Sequence, residues 1–275
     1  MAEFSVQLPG GFLHENRIHR QAVFRPICGE TELFFQESNR KKDSISSYVT
    51  GILAAALDKI GGIHANPSVV GQLCVADRQY LMLQLASMLE GNLFWILSSC
   101  SSCKNDFDIC VKRSDLPVKG AGHGYPFATV KLDGAELTCR IPVGEDQEKI
   151  EHLADDDALH LLLEHCIEGV NGEEVEKSFV DSLTPADIGR IEDVLEDISP
   201  SVTTSLLTRC PECDAEQVIE LDPYKLPVTE TGNFYQEIHT LATAYHWSEQ
   251  DIMALPRSRR RIYLDLIDQS RGMYG

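Results

Sequence analysis

Four of the nine cysteines stand as two pairs, Cys100-Ser-Ser-Cys103 and Cys210-Pro-Glu-Cys213, and no other feature constrains the fold as tightly. Two thiolates at C-x-x-C spacing hold one edge of a tetrahedron, and two such pairs close a four-coordinate zinc site. The other five cysteines, Cys28, Cys74, Cys110, Cys139 and Cys166, stand singly. The odd total argues against a disulfide framework. So does the opening Met1–Pro9, which has no basic patch followed by an apolar core, so a reducing cytoplasm is the expected setting. A redox dithiol would need one C-x-x-C at a helix start within a βαβ pattern, which neither pair has. Four thiolates also leave no open position for water or substrate. The expected zinc is therefore structural, one per chain, with on the order of 10–16 kcal/mol of apparent binding energy acting as folding energy.

The flanks of the two pairs repeat one another. Leu93–Leu97 and Phe107–Val111 frame the first, and Thr203–Leu207 and Gln217–Leu221 frame the second, so each reads as strand, tight turn, strand. The residue after each knuckle favours a left-handed backbone, which Asn105 and Asp214 tolerate. Ordinary ribbons put roughly 12–20 residues between their pairs, whereas 106 lie between Cys103 and Cys210. A domain is expected in that gap. The predicted architecture is α+β: a discontinuous four-cysteine zinc ribbon from 93–113 and 203–222, with an inserted α/β subdomain at 114–202. Flanking it are an N-terminal β-arm or hairpin with two amphipathic helices at 1–92 and a C-terminal helical segment at 223–275.

Local patterns fill in these units. Apolar spacing predicts helices over Ser46–Ile60, stopped by Gly61-Gly62, and over Asp77–Glu90, stopped by Gly91. The opening segment reads as short strands around a polar turn at Glu15-Asn16, and Lys119–Gly124 as a flexible linker rather than a phosphate loop. Asp133-Gly134 joins a hairpin from Phe127–Leu132 to Ala135–Ile141. Glu145–Glu168 reads as one acidic helix, with Asp155-Asp156-Asp157 as a cluster suited to a helix start. His160 and Glu164 stand one turn apart with no third metal ligand in view. Thr184-Pro185-Ala186-Asp187 and Ser248-Glu249-Gln250-Asp251 read as capped helix starts, and Phe234–His246 as a further helix.

Charge narrows the partners. Asp and Glu number 43 against 24 Lys and Arg, a net charge of −19. Such a surface repels nucleic-acid backbones and anionic membranes, and no apolar run approaches the length of a membrane span. Arg257, Arg259, Arg260 and Arg261 form the one basic cluster, expected to meet the protein's own carboxylates or those of a partner. With Tyr245, His246 and Trp247 they make a candidate partner surface, since Trp and Arg are frequent interface anchors. Packing of Trp247 and Tyr263 between helices is the competing reading. The sequence shows no nucleophile elbow, phosphate loop, dinucleotide fingerprint or H-E-x-x-H, so a protein-binding role is expected, and a homo-oligomer is compatible with it.

The order of features resembles the zinc-ribbon relatives of the baseplate hub assembly protein of T-even-type contractile phages, a family also found in contractile injection systems. Leu8-Pro9-Gly10-Gly11, Val75–Leu83, His160–Cys166 and Val194–Pro200 carry the likeness. So does the closing stretch His239–Ala242, Tyr245–Glu249, Ile252–Leu255 and Arg259–Leu264. Family knuckles usually read Cys-Pro-x-Cys-Gly, whereas Lys104 and Asp214 stand in the glycine positions here. The resemblance implies a non-enzymatic assembly factor or minor baseplate component that meets other baseplate, hub or tail proteins. It would be made in the bacterial host cytoplasm, and as a baseplate component rather than an assembly factor it would also be found in the mature particle. The rival readings are a transient tail-assembly chaperone, a zinc or dithiol oxidoreductase, and a nucleic-acid-binding ribbon.

Overall fold

The computed structural model describes residues 4–40, 44–225 and 231–272. Strands β1 (Phe4–His14) and β2 (Arg17–Phe24) form a hairpin closed by Glu15 and Asn16, both left-handed at φ 48° and 60°. That geometry matches the twist of paired strands. Its register breaks between Gln7 and Phe12, where Gly10 and Gly11 bulge. Gly11, at φ 105°, has no room for a side chain: a Cβ would lie 2.7 Å from Ile18.

Helices α1 (Gly29–Arg40) and α2 (Ile45–Ala56) follow. The helix expected to reach Ile60 stops at Ala56, because Leu57–Ile60 leaves as β3 to pair with β2. Leu57 and Ile60 are buried in β3, and their spacing also continues the helical period, so an apolar pattern could not separate the two. Strand β4 (Ile63–His64) completes a sheet of order β1-β2-β3-β4. Helices α3 (Pro67–Gly71) and α4 (Val75–Glu90) close over it, burying Ile52, Leu53, Leu57, Leu81 and Leu85 in one core. Each such side chain contributes roughly 1.5–3 kcal/mol on leaving water.

The first ribbon hairpin is β5 (Leu93–Ser99) with β6 (Asp106–Lys112). Beyond it, β7 (Val118–Lys119) runs into the stretch expected to be a flexible linker, and that expectation fails. Ala121 N–H donates to Pro9 O (2.9 Å), Gly122 N–H to Ile198 O (2.9 Å), and Lys119 Nζ to the Glu196 and Asp197 carbonyls (2.9 Å each). Backbone tethering of this kind leaves no residue-type signature.

Strands β8 (Phe127–Leu132) and β9 (Ala135–Arg140) form the expected hairpin. The single acidic helix expected next divides into α5 (Gly144–Ile150) and α6 (Asp155–Cys166), and its end becomes strand β10 (Ile167–Val170) on the β9 edge. Asp155, Asp156 and Asp157 do open α6. Helix α7 (Lys177–Asp181) leads to α8 (Pro185–Ile198), which starts on the Thr184–Asp187 capping box. These elements share a second core around Val130, Leu137, Leu163, Ile167 and Ile191. Cys139 and Cys166 are buried there and Cys74 beside it, where burial pushes the Cys139 thiol up to about 11 and Cys166 up to about 12. Cys139 acts there as a small apolar residue, while Cys166 Sγ accepts from Arg140 Nη1 at 4.0 Å.

Strand β11 (Ser201–Val202) pairs with β7 and returns the chain to the second ribbon hairpin, β12 (Ser205–Arg209) and β13 (Glu216–Glu220). Helices α9 (Thr231–Tyr245), α10 (Glu249–Ala254) and α11 (Arg257–Gly272) form a third core with Phe234, Leu241, Ile252 and Ile267. Among the described residues no helix is long and apolar enough to cross a membrane.

Candidate metal centre and surrounding anchors

The β5–β6 and β12–β13 turns bring Cys100, Cys103, Cys210 and Cys213 together, with all four sulfurs within 4.8 Å of one another. Cys100 Sγ lies 3.6 Å from Cys213 Sγ, and Cys103 Sγ lies 3.7 Å from Cys210 Sγ. A tetrahedron with Zn–S bonds of about 2.3 Å has sulfur–sulfur edges of about 3.8 Å, so the spacing suits a bound ion. It is far too long for disulfides, whose sulfurs lie about 2.05 Å apart.

The two knuckles share one backbone pattern. Cys100 N–H donates to Asn105 O (2.9 Å) and Lys104 N–H to Cys100 O (3.0 Å); Cys210 N–H donates to Ala215 O (3.0 Å) and Asp214 N–H to Cys210 O (2.9 Å). The left-handed positions are Lys104 (φ 65°) and Asp214 (φ 58°). Asp214 was expected there; the first position falls on Lys104 and not on Asn105. The Cys103 and Ser102 amides both point at Cys100 Sγ from 3.4 Å and lower its thiol to about 6. Cys103, although eased by the Asn105 amide, is pushed up to about 12 by burial and its three neighbouring thiols. Four sulfurs this close cannot all ionise unless a cation balances them, which is what a divalent metal does.

Under the sulfurs, Phe107 and Ile219 are buried, with the half-buried Ile96 and Ile109 packed against them. Gln217 ties the two halves: its Oε1 accepts from Ser101 N–H (2.9 Å), and its Nε2 donates to Glu216 O (2.8 Å). Sequence reasoning passed over Gln217. The signal was there, in a polar residue alternating with Ile219 on the inward face of β13.

Two motifs of the family resemblance also meet. Gly10 and Gly11 N–H groups donate to the two carboxylate oxygens of buried Asp77 (2.7 and 2.6 Å), and a Cβ on Gly10 would come 2.6 Å from Tyr125 Oη. The next residue, Arg78, is also fully buried and donates to Thr50 Oγ1 (2.9 Å) and Ser46 O (2.7 Å). Gly144 passes so close that a Cβ there would lie 1.6 Å from Arg78 Nη1. Asp77 thus fastens β1 and Arg78 fastens α2, with α5 packed against the guanidinium. His160 Nε2 lies 2.7 Å from Asp181 Oδ1, and its other nitrogen 3.8 Å from Glu164, making a polar pair between α6 and α7.

The candidate partner residues divide. Tyr245 and Trp247 stack at 4.8 Å and Trp247 meets Tyr263 edge-on at 4.8 Å, so the aromatic pair packs the C-terminal helices. Arg260 is fully buried: it donates to Glu32 and to Leu255 O (2.9 Å) and lies over the Phe234 ring. This is the pairing with the protein's own carboxylates that the cluster was expected to offer, and it leaves Arg260 with no exposed surface. Arg257, mostly covered, lies 3.4 Å from the other Glu32 oxygen. His246, Arg259 and Arg261 are exposed.

Fold and site define the class, a mixed α+β protein whose four-cysteine cluster is assembled from distant stretches and can hold a metal ion. Residues 1–225 match the T4 bacteriophage base plate protein family, and the chain belongs to it. No curated protein and no solved structure gives a significant match. The matched span takes in both cysteine pairs. The closing stretch, the most distinctive part of the resemblance, lies beyond residue 225. Membership makes other baseplate and tail proteins the partner class.

Proposed function

We propose that the chain is a non-enzymatic assembly factor or minor component of the baseplate of a contractile phage tail or phage-derived particle, made in the host cytoplasm and acting by docking to baseplate, hub or tail proteins. The convergence of four cysteines in a chain of this family carries the reading. Zinc at Cys100, Cys103, Cys210 and Cys213 holds the two ribbon halves, 93–113 and 203–222, and so sets how the inserted unit 114–202 stands on the N-terminal elements. His246, Arg259 and Arg261 remain as contact candidates on the C-terminal helices.

Two measurements test this. Purified protein is expected to hold one zinc per chain, and a chelator is expected to expose four further titratable thiols; less than about half a zinc per chain sinks the metal centre. Mass spectrometry of purified particles and of assembly intermediates is expected to find the chain bound to baseplate proteins. Its presence only in intermediates makes it a chaperone, and its absence from both removes the baseplate role.

A further inference from the structure

The first ribbon hairpin is apolar on both faces, and only one is covered. Phe94 and Ile96 turn inward with Phe107 and Ile109, whereas Leu93, Trp95 and Leu97 turn outward and are 55%, 70% and 71% exposed. A continuous apolar run is the pattern of a strand buried on both sides. Next to β5 lies a groove of about 870 Å³, lined among others by Leu83, Ala86, Phe94, Trp95, Leu97 and Leu221.

Charge indicates what covers it. Within the groove Arg113 pairs with Glu90 at 3.6 Å and lies over the Phe94 ring, while Glu220 and Asp222 are offset by Lys225 and Arg261, so the lining is near neutral. The outer face of the hairpin adds Asp106 and Asp108 against Lys112, and the whole chain carries −19. Two such chains repel one another, and the same field draws in a cationic protein. Three side chains fall well short of the roughly 800 Å² per partner of a standard interface, so they act as the anchor of a wider contact that takes in Asp106 and Asp108 beside Leu97.

We infer that Leu93, Trp95 and Leu97, with the groove beside them, dock a partner protein presenting an apolar ridge flanked by basic residues. This rests on the baseplate reading above. The test places a photoreactive benzoylphenylalanine at Leu97, and in a separate variant at Ile262 on exposed α11, in full-length protein produced in the host during tail assembly. Irradiation at Leu97 is expected to give an adduct to a tail or baseplate protein at a segment of net positive charge, with yield falling as salt rises. Trp95→Ser, with zinc content unchanged as proof of folding, is expected to lower that adduct about tenfold or more, the effect of losing an aromatic anchor. An adduct to a second copy, or to an acidic segment, overturns the inference. So does an adduct at Ile262 with none at Leu97, which leaves the baseplate role standing; no tail-protein adduct at either position removes both.

Discussion

Lys104 and Asp214 show how much one backbone angle decides. Both knuckles need a residue at φ near 60°, and a side chain there costs about 1–2 kcal/mol relative to glycine. Lys104 recovers part of this through Nζ, which donates to Ser101 O at 2.8 Å, and Asp214 through an exposed ion pair with Arg209 at 2.9 Å. Exposed pairs of that kind are worth little. Replacing Lys104→Gly and Asp214→Gly together is expected to raise stability by about 1 kcal/mol, the gain being reduced by the greater freedom of glycine in the unfolded chain. Thermal unfolding of the zinc-loaded protein, with the rate of metal loss to a chelator, checks this; a lower midpoint would refute the strain argument. The need for a left-handed residue was legible in the C-x-x-C spacing, but its position was placed one residue late in the first knuckle. The place of Gln217 beneath the sulfurs was hidden because its partner, Ser101, is 116 positions away.

Among the elements, α5 carries more than its length suggests. Its Asp146 is almost fully buried and takes both Arg140 guanidinium nitrogens (2.6 and 2.9 Å), the Val143 N–H (2.9 Å) and His165 Nδ1 (3.3 Å). Burial by itself would raise this carboxyl, but donation from Arg140 and Val143 outweighs it and holds the group below the usual aspartate range. A depressed folded value contributes stability that is fully present above the unfolded value near 4, and that is lost as pH falls through the folded one. Asp146→Asn is therefore expected to cost about 3 kcal/mol at neutral pH by stranding Arg140, and to flatten the loss of stability below about pH 4. Urea unfolding between pH 3 and 7 decides it: equal acid slopes for the two proteins would rule Asp146 out as the group responsible. At the C-terminal cap of α5, Glu151 caps the start of α2, accepting from Ile45 N–H (2.6 Å) and Ser46 N–H (3.1 Å). The capping boxes at Thr184 and Ser248 were readable because they are local. Glu151 was not, since it lies over a hundred residues from the helix it caps.

Buried charge joins the first core to the third. Glu32 on α1 receives Arg260 and Arg257 from α11, and beside them Arg257 N–H donates to Ile27 O at 3.1 Å. Gly29 lets the α10 backbone approach, since a Cβ there would come 3.0 Å from Met253 Cα. Removing one partner of such a pair leaves a charge stranded out of water, at about 3–5 kcal/mol. Glu32→Ala is accordingly expected to loosen 231–272 while 4–225 keeps its fold. In hydrogen exchange, protection should fall in α9–α11 and persist in α2 and α4. Equal loss across the whole chain would show that the C-terminal helices are not a separately released layer. The basic cluster thus serves first to fasten α11 to α1, and only its outward members are available to a partner.

By itself the sequence determined the features that local rules govern: the cysteine pairs and their strand flanks, the amphipathic helices, the capped helix starts and the acidic character. Tertiary structure alone decided where helices yield to strands at Leu57 and Ile167, because the competing hydrogen bonds come from β2 and β9. It decided too that Arg260 points inward and Trp95 outward. Both are set by which face of an element finds a neighbour, and for Arg260 that neighbour, Glu32, lies 228 positions away.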